Sequence, residues 1–202
     1  WKMVPLTFGV MMIGTLAITG VPGLAGFYSK DLVIESAYAA HTNVGLYAFW
    51  AGILAALMTS FYSWRLIFMT FFGAPRADER TMAHVHESPA VMTAPLLFLA
   101  VGAIFAGWFA KDWFGGGNYE EMLNFWNGAI FMAEGHTALE NAHHVPGWVK
   151  LAPFVAMITG FAIAVVMYKL VPSLPRTLAN TFNGLYRFVL NKWYFDELYD
   201  KI

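Results

Sequence analysis

"GVPGLAGFYSKDLVIES", residues 20–36, decides how this chain folds. Lys30 and Asp31 close a stretch without a single charged residue that begins at Met3. On a water-facing surface a Lys-Asp pair is unremarked. In lipid it needs a reason, and the composition indicates lipid. Only 12% of the 202 residues are Asp, Glu, Lys or Arg and 58% are apolar, against about 25% charged in an average soluble domain. Four stretches lack any charge: Met3–Ser29, Thr42–Trp64, Ser88–Ala110 and the shorter Leu151–Tyr168. A helix needs roughly 20 such residues to cross a hydrocarbon core. A domain of this size has no interior large enough to hide all four. The composition predicts an all-α integral membrane protein.

Other classes drop out on composition. A net charge of −1 offers no electrostatic footprint for nucleic acid. The absence of cysteine removes disulfides, cysteine-ligated iron–sulfur clusters and thiol catalysis from these residues. No signal peptide is evident at "WKMVPLTFGV", and the sequence reads as a fragment of a longer polypeptide.

Along the chain, the first span is predicted from about Val4 to Thr19, broken by Gly20, Pro22, Gly23 and Gly26. A second helix follows to about Ala40, a third from Val44 to Phe72, a fourth over Pro89–Ala110 and a fifth over Trp148–Leu170. The expected organisation is a transmembrane bundle over residues 1–172, with a loop at 111–147, and an amphipathic helix from 173 to 202. In that last segment Leu178, Phe182, Leu185, Val189 and Trp193 recur at steps of three and four, the pattern of a helix lying along a membrane surface. Small residues four apart (Ala51/Ala55, Gly102/Ala106, Ala103/Gly107) allow close helix contact and are assigned nothing more.

Basic residues in short loops set orientation. Arg65, Arg76 and Arg80 follow the third span, and Lys169, Arg176, Arg187, Lys192 and Lys201 lie in the tail. Lys2, Lys111 and Lys150 fall on the other side, with Asp112, Glu120, Glu121, Glu134 and Glu140. Five spans place the N-terminal end outside and the tail in the cytoplasm.

In this frame Lys30 lies about 12 Å along a helix that re-enters the membrane near Pro22. Ionisable residues at such depth face a protein interior or a water-filled cavity and mark ion or proton routes. Lysine suits a proton carrier because desolvation favours its neutral amine while a neighbouring carboxylate favours the ammonium; arginine stays protonated. The predicted carrier is Lys30, with Asp31 as its modulating partner. Glu35, four residues beyond Asp31 on the same face, and Arg65, at the end of the third span, are accessory candidates. A snorkelling lysine or a static Lys30–Asp31 pair is the alternative. His84, His86 and Glu87, the pair His143-His144 and His136 have ligand-like spacing but no helical HExxH frame, and read as surface histidines. Gly115-Gly116-Gly117 lacks the GK[ST] of a phosphate loop.

Three segments carry a resemblance: "TGVPGLAGFYSKDLVIESA", "ALMTSFYSWRLIFMTFFG" and "ALENAHHVPGWVKLAPFVA". Together they resemble the C-terminal part of the chain L family of bacterial NADH–quinone oxidoreductase, respiratory complex I, the counterpart of mitochondrial subunit 5. The resemblance implies half of an inverted-repeat, antiporter-like bundle with one discontinuous helix, followed by the start of a lateral helix. It implies a proton-translocating subunit of the bacterial inner membrane, with Lys30 on the broken helix in a half-channel releasing protons to the periplasm. Its implied partners are lipid and the other membrane subunits of the complex, above all the neighbouring antiporter-like ones. It implies no redox centre or cofactor in this chain, the NADH, FMN, iron–sulfur clusters and quinone belonging to other subunits. The glutamate and lysine of the family's first half-channel lie in helices outside this sequence. Two rival readings are the large subunit of a multisubunit sodium/proton antiporter and a passive scaffold.

Overall fold

The computed structural model describes residues 2–75, 77–115, 119–130, 135 and 137–201. Arg76, Gly116, Gly117, Glu134 and His136, named above, lie outside the described residues. Those residues form helices and connecting turns, without a strand among them. The helices are α1 (Pro5–Thr19), α2 (Ala25–Ala39), α3 (Asn43–Phe71), α4 (Glu79–Ala83), α5 (Ala90–Ala110), α6 (Tyr119–Trp126), α7 (Ala138–Asn141), α8 (Gly147–Val165), α9 (Leu174–Thr181), α10 (Asn183–Leu190) and α11 (Phe195–Tyr199). α3, α5 and α8, the last extended by a wider turn to Leu170, are long and apolar enough to cross a membrane.

α1 starts on Pro5, whose missing amide is harmless in a first turn and whose ring presets the helical φ. It stops at Gly20, which takes φ +84°, so that Gly20 N–H bonds Ala17 O and Val21 N–H bonds Leu16 O, each at 3.1 Å. This left-handed glycine stop closes helices because no Cβ opposes it. Pro22 and Gly23 (φ +90°) carry the chain to Leu24, where α2 begins. At Gly26 the approach of α2 to α1 leaves no room for a side chain, since a Cβ there would collide with the Ala17 carbonyl.

The all-α expectation holds among the described residues, with three long apolar helices and the shorter apolar α1, but α1 and α2 share one crossing. Phe8 of α1 lies edge-on to Phe71 and Phe72 at the end of α3, with ring centroids 5.2 and 5.6 Å apart. Tyr38 of α2 lies 5.3 Å from Phe49, near the start of α3. Between these points Thr15 and Ile18 sit beside Tyr62, and Ile34 beside Gly52. α1 and α2 therefore run end to end along α3 as the halves of one discontinuous helix. Among the described residues the helices long enough to cross, with α1 and α2 counted as one, number four, and this corrects the topology expected from five: the start of α1 and the tail lie on the same face. Hydropathy scored two apolar runs separated by a proline and could not tell a turn at the surface from a break at mid-depth. With the correction Lys2 joins the basic loop and the tail, leaving Lys111 and Lys150 on the opposite face.

α8 lies against α3 along a seam of small residues. Ser60 Oγ donates to Met157 O at 2.7 Å, and a Cβ on Gly160 would meet the Leu57 carbonyl and the Ser60 side chain. Buried Ile34, Phe49, Ala56, Val149 and Ala156 form the core between α2, α3 and α8. Large apolar side chains on the outer faces of α3, α5 and α8 (Leu54, Phe98, Val155) remain exposed, as lipid-facing or subunit-facing surfaces require. α5 meets α2 at Gly107, where a Cβ would strike the Ala25 backbone and the Tyr28 ring. The tail is helical but segmented: α9 and α10 meet at Phe182, and Lys192, Trp193 and Tyr194 all take positive φ (51°, 62° and 58°) before α11.

Candidate functional site

The break between α1 and α2 creates the site. Ending α1 at Thr19 leaves carbonyls at the helix terminus with no amide to receive, and the helix dipole adds partial negative charge there. Lys30, on the second turn of α2, bends back to this end and donates from Nζ to Thr19 O at 2.5 Å. Thr19 is itself fully buried, its hydroxyl donating to Thr15 O at 2.8 Å. A Cβ on Gly20 would occupy the place of Lys30 Nζ. Glycine at 20 thus serves both the left-handed stop and the seat of the ammonium.

Depth follows from the neighbours. Lys30 lines a groove of about 550 Å³ with Gly52, Ala55, Ala56 and Thr59, the middle of α3. Nine residues separate it from Ala39, about 14 Å of helix, or roughly half of a core about 30 Å thick. Lys30 and the break therefore lie beside the middle of α3's length.

Asp31 has Lys30 and Glu35 as its charged neighbours, and its Oδ1 is buried without a hydrogen-bond partner among the described residues. The same holds for Ser36 Oγ, one residue past Glu35. Unpaired polar atoms in an interior ask for a further partner, such as water or a group from another element. Lys150 and His143 are the basic groups whose field acts on Glu35. Lys150 Nζ donates to His143 O at 2.8 Å, and His143 Nε2 donates to Gly115 O at 3.1 Å. On α2, Asp31 and Glu35 share a face four residues apart, while Lys30, adjacent to Asp31, bends back to the end of α1.

The sequence matches two protein families. Residues 1–72 match the transmembrane family described as NADH:quinone oxidoreductase/Mrp antiporter, and residues 62–114 match NADH dehydrogenase subunit 5 C-terminus. NADH-quinone oxidoreductase subunit L of Rhodobacter capsulatus is 41% identical, over 98% of this chain and 36% of its own length. NADH-ubiquinone oxidoreductase chain 5 of Marchantia polymorpha and of Arabidopsis thaliana are each 36% identical, over 98% and 96% of this chain and 30% and 29% of their own lengths. This chain belongs to the antiporter-like subunit family of NADH–quinone oxidoreductases. It spans about a third of the length of the curated relatives it matches.

In this antiporter-like chain the remaining candidates separate. Arg65 lies apart from Lys30, exposed near the basic face, with its guanidinium carbon 5.9 Å from the Tyr168 ring of the α8 extension. That contact ties α3 to its neighbour through a cation–π interaction. Lys169 closes the same corner, donating to Phe72 O at 3.2 Å and lying 4.8 Å from the Phe72 ring. His84 donates to Arg80 O and His86 to Glu87 O, both at 2.7 Å. Among the described residues no three His, Cys, Asp or Glu side chains gather as a metal site would need.

Sequence reasoning missed two partners. His143 reads from sequence as a surface histidine and Lys150 as one of the basic residues that set orientation, yet both act electrostatically on Glu35. Only the packing of α7 and the turn 142–144 on α2 brings them there. Nothing in the spacing of residues 35, 143 and 150 carries that signal.

Proposed function

We propose that this chain is the second half-channel of a proton-translocating membrane subunit of respiratory NADH–quinone oxidoreductase. Lys30 is the carrier whose ammonium loses and regains its proton, and Asp31 modulates it. Glu35, with His143 and Lys150 beside it, leads from the carrier toward the face opposite the tail. The observation that carries the reading is the bond from Lys30 Nζ to the carbonyl that the helix break frees, at mid-depth. That contact holds a cation where lipid opposes it, without the full ion pair that would lock its proton in place.

Placing the basic face, with the tail, in the cytoplasm follows from the positive-inside rule and makes the opposite face periplasmic. The bacterial inner membrane is the proposed location, as the Rhodobacter relative suggests. Lipid and the other membrane subunits, including neighbouring antiporter-like ones, are the proposed partners. The redox groups (FMN, iron–sulfur clusters, NADH and quinone) belong to other subunits, and this chain supplies residues for proton transfer only. Driving one proton against 100 mV takes about 2.3 kcal/mol. A change in the carrier's proton affinity of a little under two orders of magnitude matches that work, at about 1.4 kcal/mol per tenfold.

The test is Lys30→Met and Lys30→Arg in the complete enzyme, in sealed vesicles, with proton uptake and NADH oxidation measured together. Both variants are expected to assemble and to move fewer protons per electron. Arginine preserves the charge but cannot release it, so normal pumping by Lys30→Arg refutes the carrier role and leaves an anchoring cation. The sodium/proton antiporter reading shares the family description that covers residues 1–72. Cation transport that persists without NADH favours it.

A further inference from the structure

α1 has no cap of its own. Its N-cap position is Val4, which offers no side-chain acceptor, and its first turn holds no acidic residue. The cap comes instead from Glu87, 80 residues beyond Thr7, in the segment leading into α5. Glu87 Oε1 accepts from Leu6 N–H at 2.6 Å and from Thr7 N–H at 3.3 Å, and Oε2 accepts from the Thr7 hydroxyl at 2.6 Å. These are the second and third helical amides, the two that a Ser or Asp at the N-cap normally satisfies. The main chain of Glu87 is held in turn by His86, whose Nδ1 donates to Glu87 O at 2.7 Å.

α1 is therefore gripped at both ends by polar contacts from other parts of the chain. One end is tied to the entry of α5 by Glu87, and the other meets α2 through Lys30 at Thr19 O. Between them lie 15 residues, a rod of about 22 Å. The break at 20–24 frees this rod from the backbone continuity that would otherwise fix it to α2.

We propose that Glu87 is a positioning residue for Lys30: it sets the axial position of α1, and through that rod the place where Thr19 O receives the ammonium. A cap on the same helix would satisfy the amides equally well but would leave α1 unfixed along its axis. The inference rests on the carrier reading of Lys30 for its functional consequence and on geometry alone for its structural one.

The test uses the complete enzyme in membranes and compares Glu87→Ala, Glu87→Gln and the double variant Glu87→Ala with Val4→Asp. Hydrogen exchange is followed at residues 5–8 and at the break, 20–24, alongside protons moved per NADH. In Glu87→Ala, exchange at residues 5–8 is expected to quicken about fivefold, the ratio for a lost cap. Exchange at 20–24 is expected to quicken too, and the proton ratio to fall. Glu87→Gln keeps one acceptor oxygen and is expected to recover most of each effect. The double variant is expected to recover exchange at 5–8 only. Recovery of all three readouts by Val4→Asp overturns the proposal, since Glu87 is then a local cap. Unchanged exchange at 20–24 in Glu87→Ala overturns it as well. Should Glu87→Ala fail to assemble, Thr7→Val removes the Oε2 bond alone and is read the same way. If Lys30→Met pumps normally while exchange at 20–24 still responds to Glu87, the carrier reading fails and the positioning role stands.

Discussion

The chain interrupts a helix beside a lysine twice, at 20–24 next to Lys30 and at 192–194 next to Lys192. The first break lies beside the middle of α3, is made by Gly20, Pro22 and Gly23, and leaves Lys30 on a backbone carbonyl, with an Asp31 oxygen nearby that has no hydrogen-bond partner among the described residues. The second lies on the tail and is made by three consecutive non-glycine residues at positive φ. There Lys192 pairs directly with Asp196 at 2.6 Å, with the two side chains 76% and 61% exposed. Where water is present, a lysine and an aspartate close on each other and gain little by it, because solvent screens the pair. Where water is scarce, the same residue types are held apart by helix geometry, and a dipole end receives the cation instead. The two breaks use the same chemistry to opposite ends: one completes a surface pair, and the other keeps a charge unsettled.

That contrast can be broken in order of expected effect. Gly26→Leu forces a side chain into the Ala17 carbonyl. Because the clash is with backbone, overpacking of more than about 1–3 kcal/mol is expected, read as loss of assembled subunit; normal assembly would mean that the halves of the broken helix are free to separate. Lys30→Met comes next, leaving an assembled enzyme that moves fewer protons per NADH. Lys192→Met, the matching change at the surface, is expected to leave pumping unaltered and Tm unshifted. A fall in the proton ratio there equal to that of Lys30→Met would erase the distinction between the two sites.

The smallest effects are in pH, and they carry opposite signs. Asp196, by its hydrogen bond and its charge, holds the Lys192 ammonium above the usual lysine range. Its contribution is complete below the unfolded lysine value and is lost as pH rises through the raised one. The Thr7 hydroxyl, followed by the Leu6 and Thr7 amides, holds the Glu87 carboxyl below the usual carboxylate range. That contribution is complete above the unfolded glutamate value and is lost as pH falls through the lowered one. Lys2, His84 and His86, the charged and titratable groups flanking this corner in sequence, are varied as controls. Hydrogen exchange at residues 5–8 over acid pH, after correction for intrinsic rates, checks the second; faster exchange already at neutral pH would contradict it.

Much of the site was legible because its elements are local. Gly20, Pro22 and Gly23 announce the break, and an isolated Lys30 in an uncharged stretch marks the side chain that bonds the carbonyl at that break. What escaped depends on separation along the chain. The apolar run before Pro22 looked like a whole span because hydropathy reports what a segment avoids, not how far across the membrane it has travelled. Glu87 capping α1 across 81 residues, and the field of His143 and Lys150 at Glu35, leave no trace in spacing. The small pair Ala103/Gly107 did mark a contact, through Gly107 against Ala25, whereas on α3 the close approach uses Gly52 and Ala56 rather than Ala51/Ala55.

The Thr19 carbonyl has one further consequence. A peptide oxygen has neither a proton to surrender nor a charge to change, so the strength of its grip depends wholly on what Lys30 carries. It clasps an ammonium firmly and a bare amine weakly, as charge-assisted bonds outweigh neutral ones. On the carrier role proposed for Lys30, loading the side chain moors it to α1 and unloading slackens the mooring, so that protonation is translated into position by an acceptor that takes no part in the exchange.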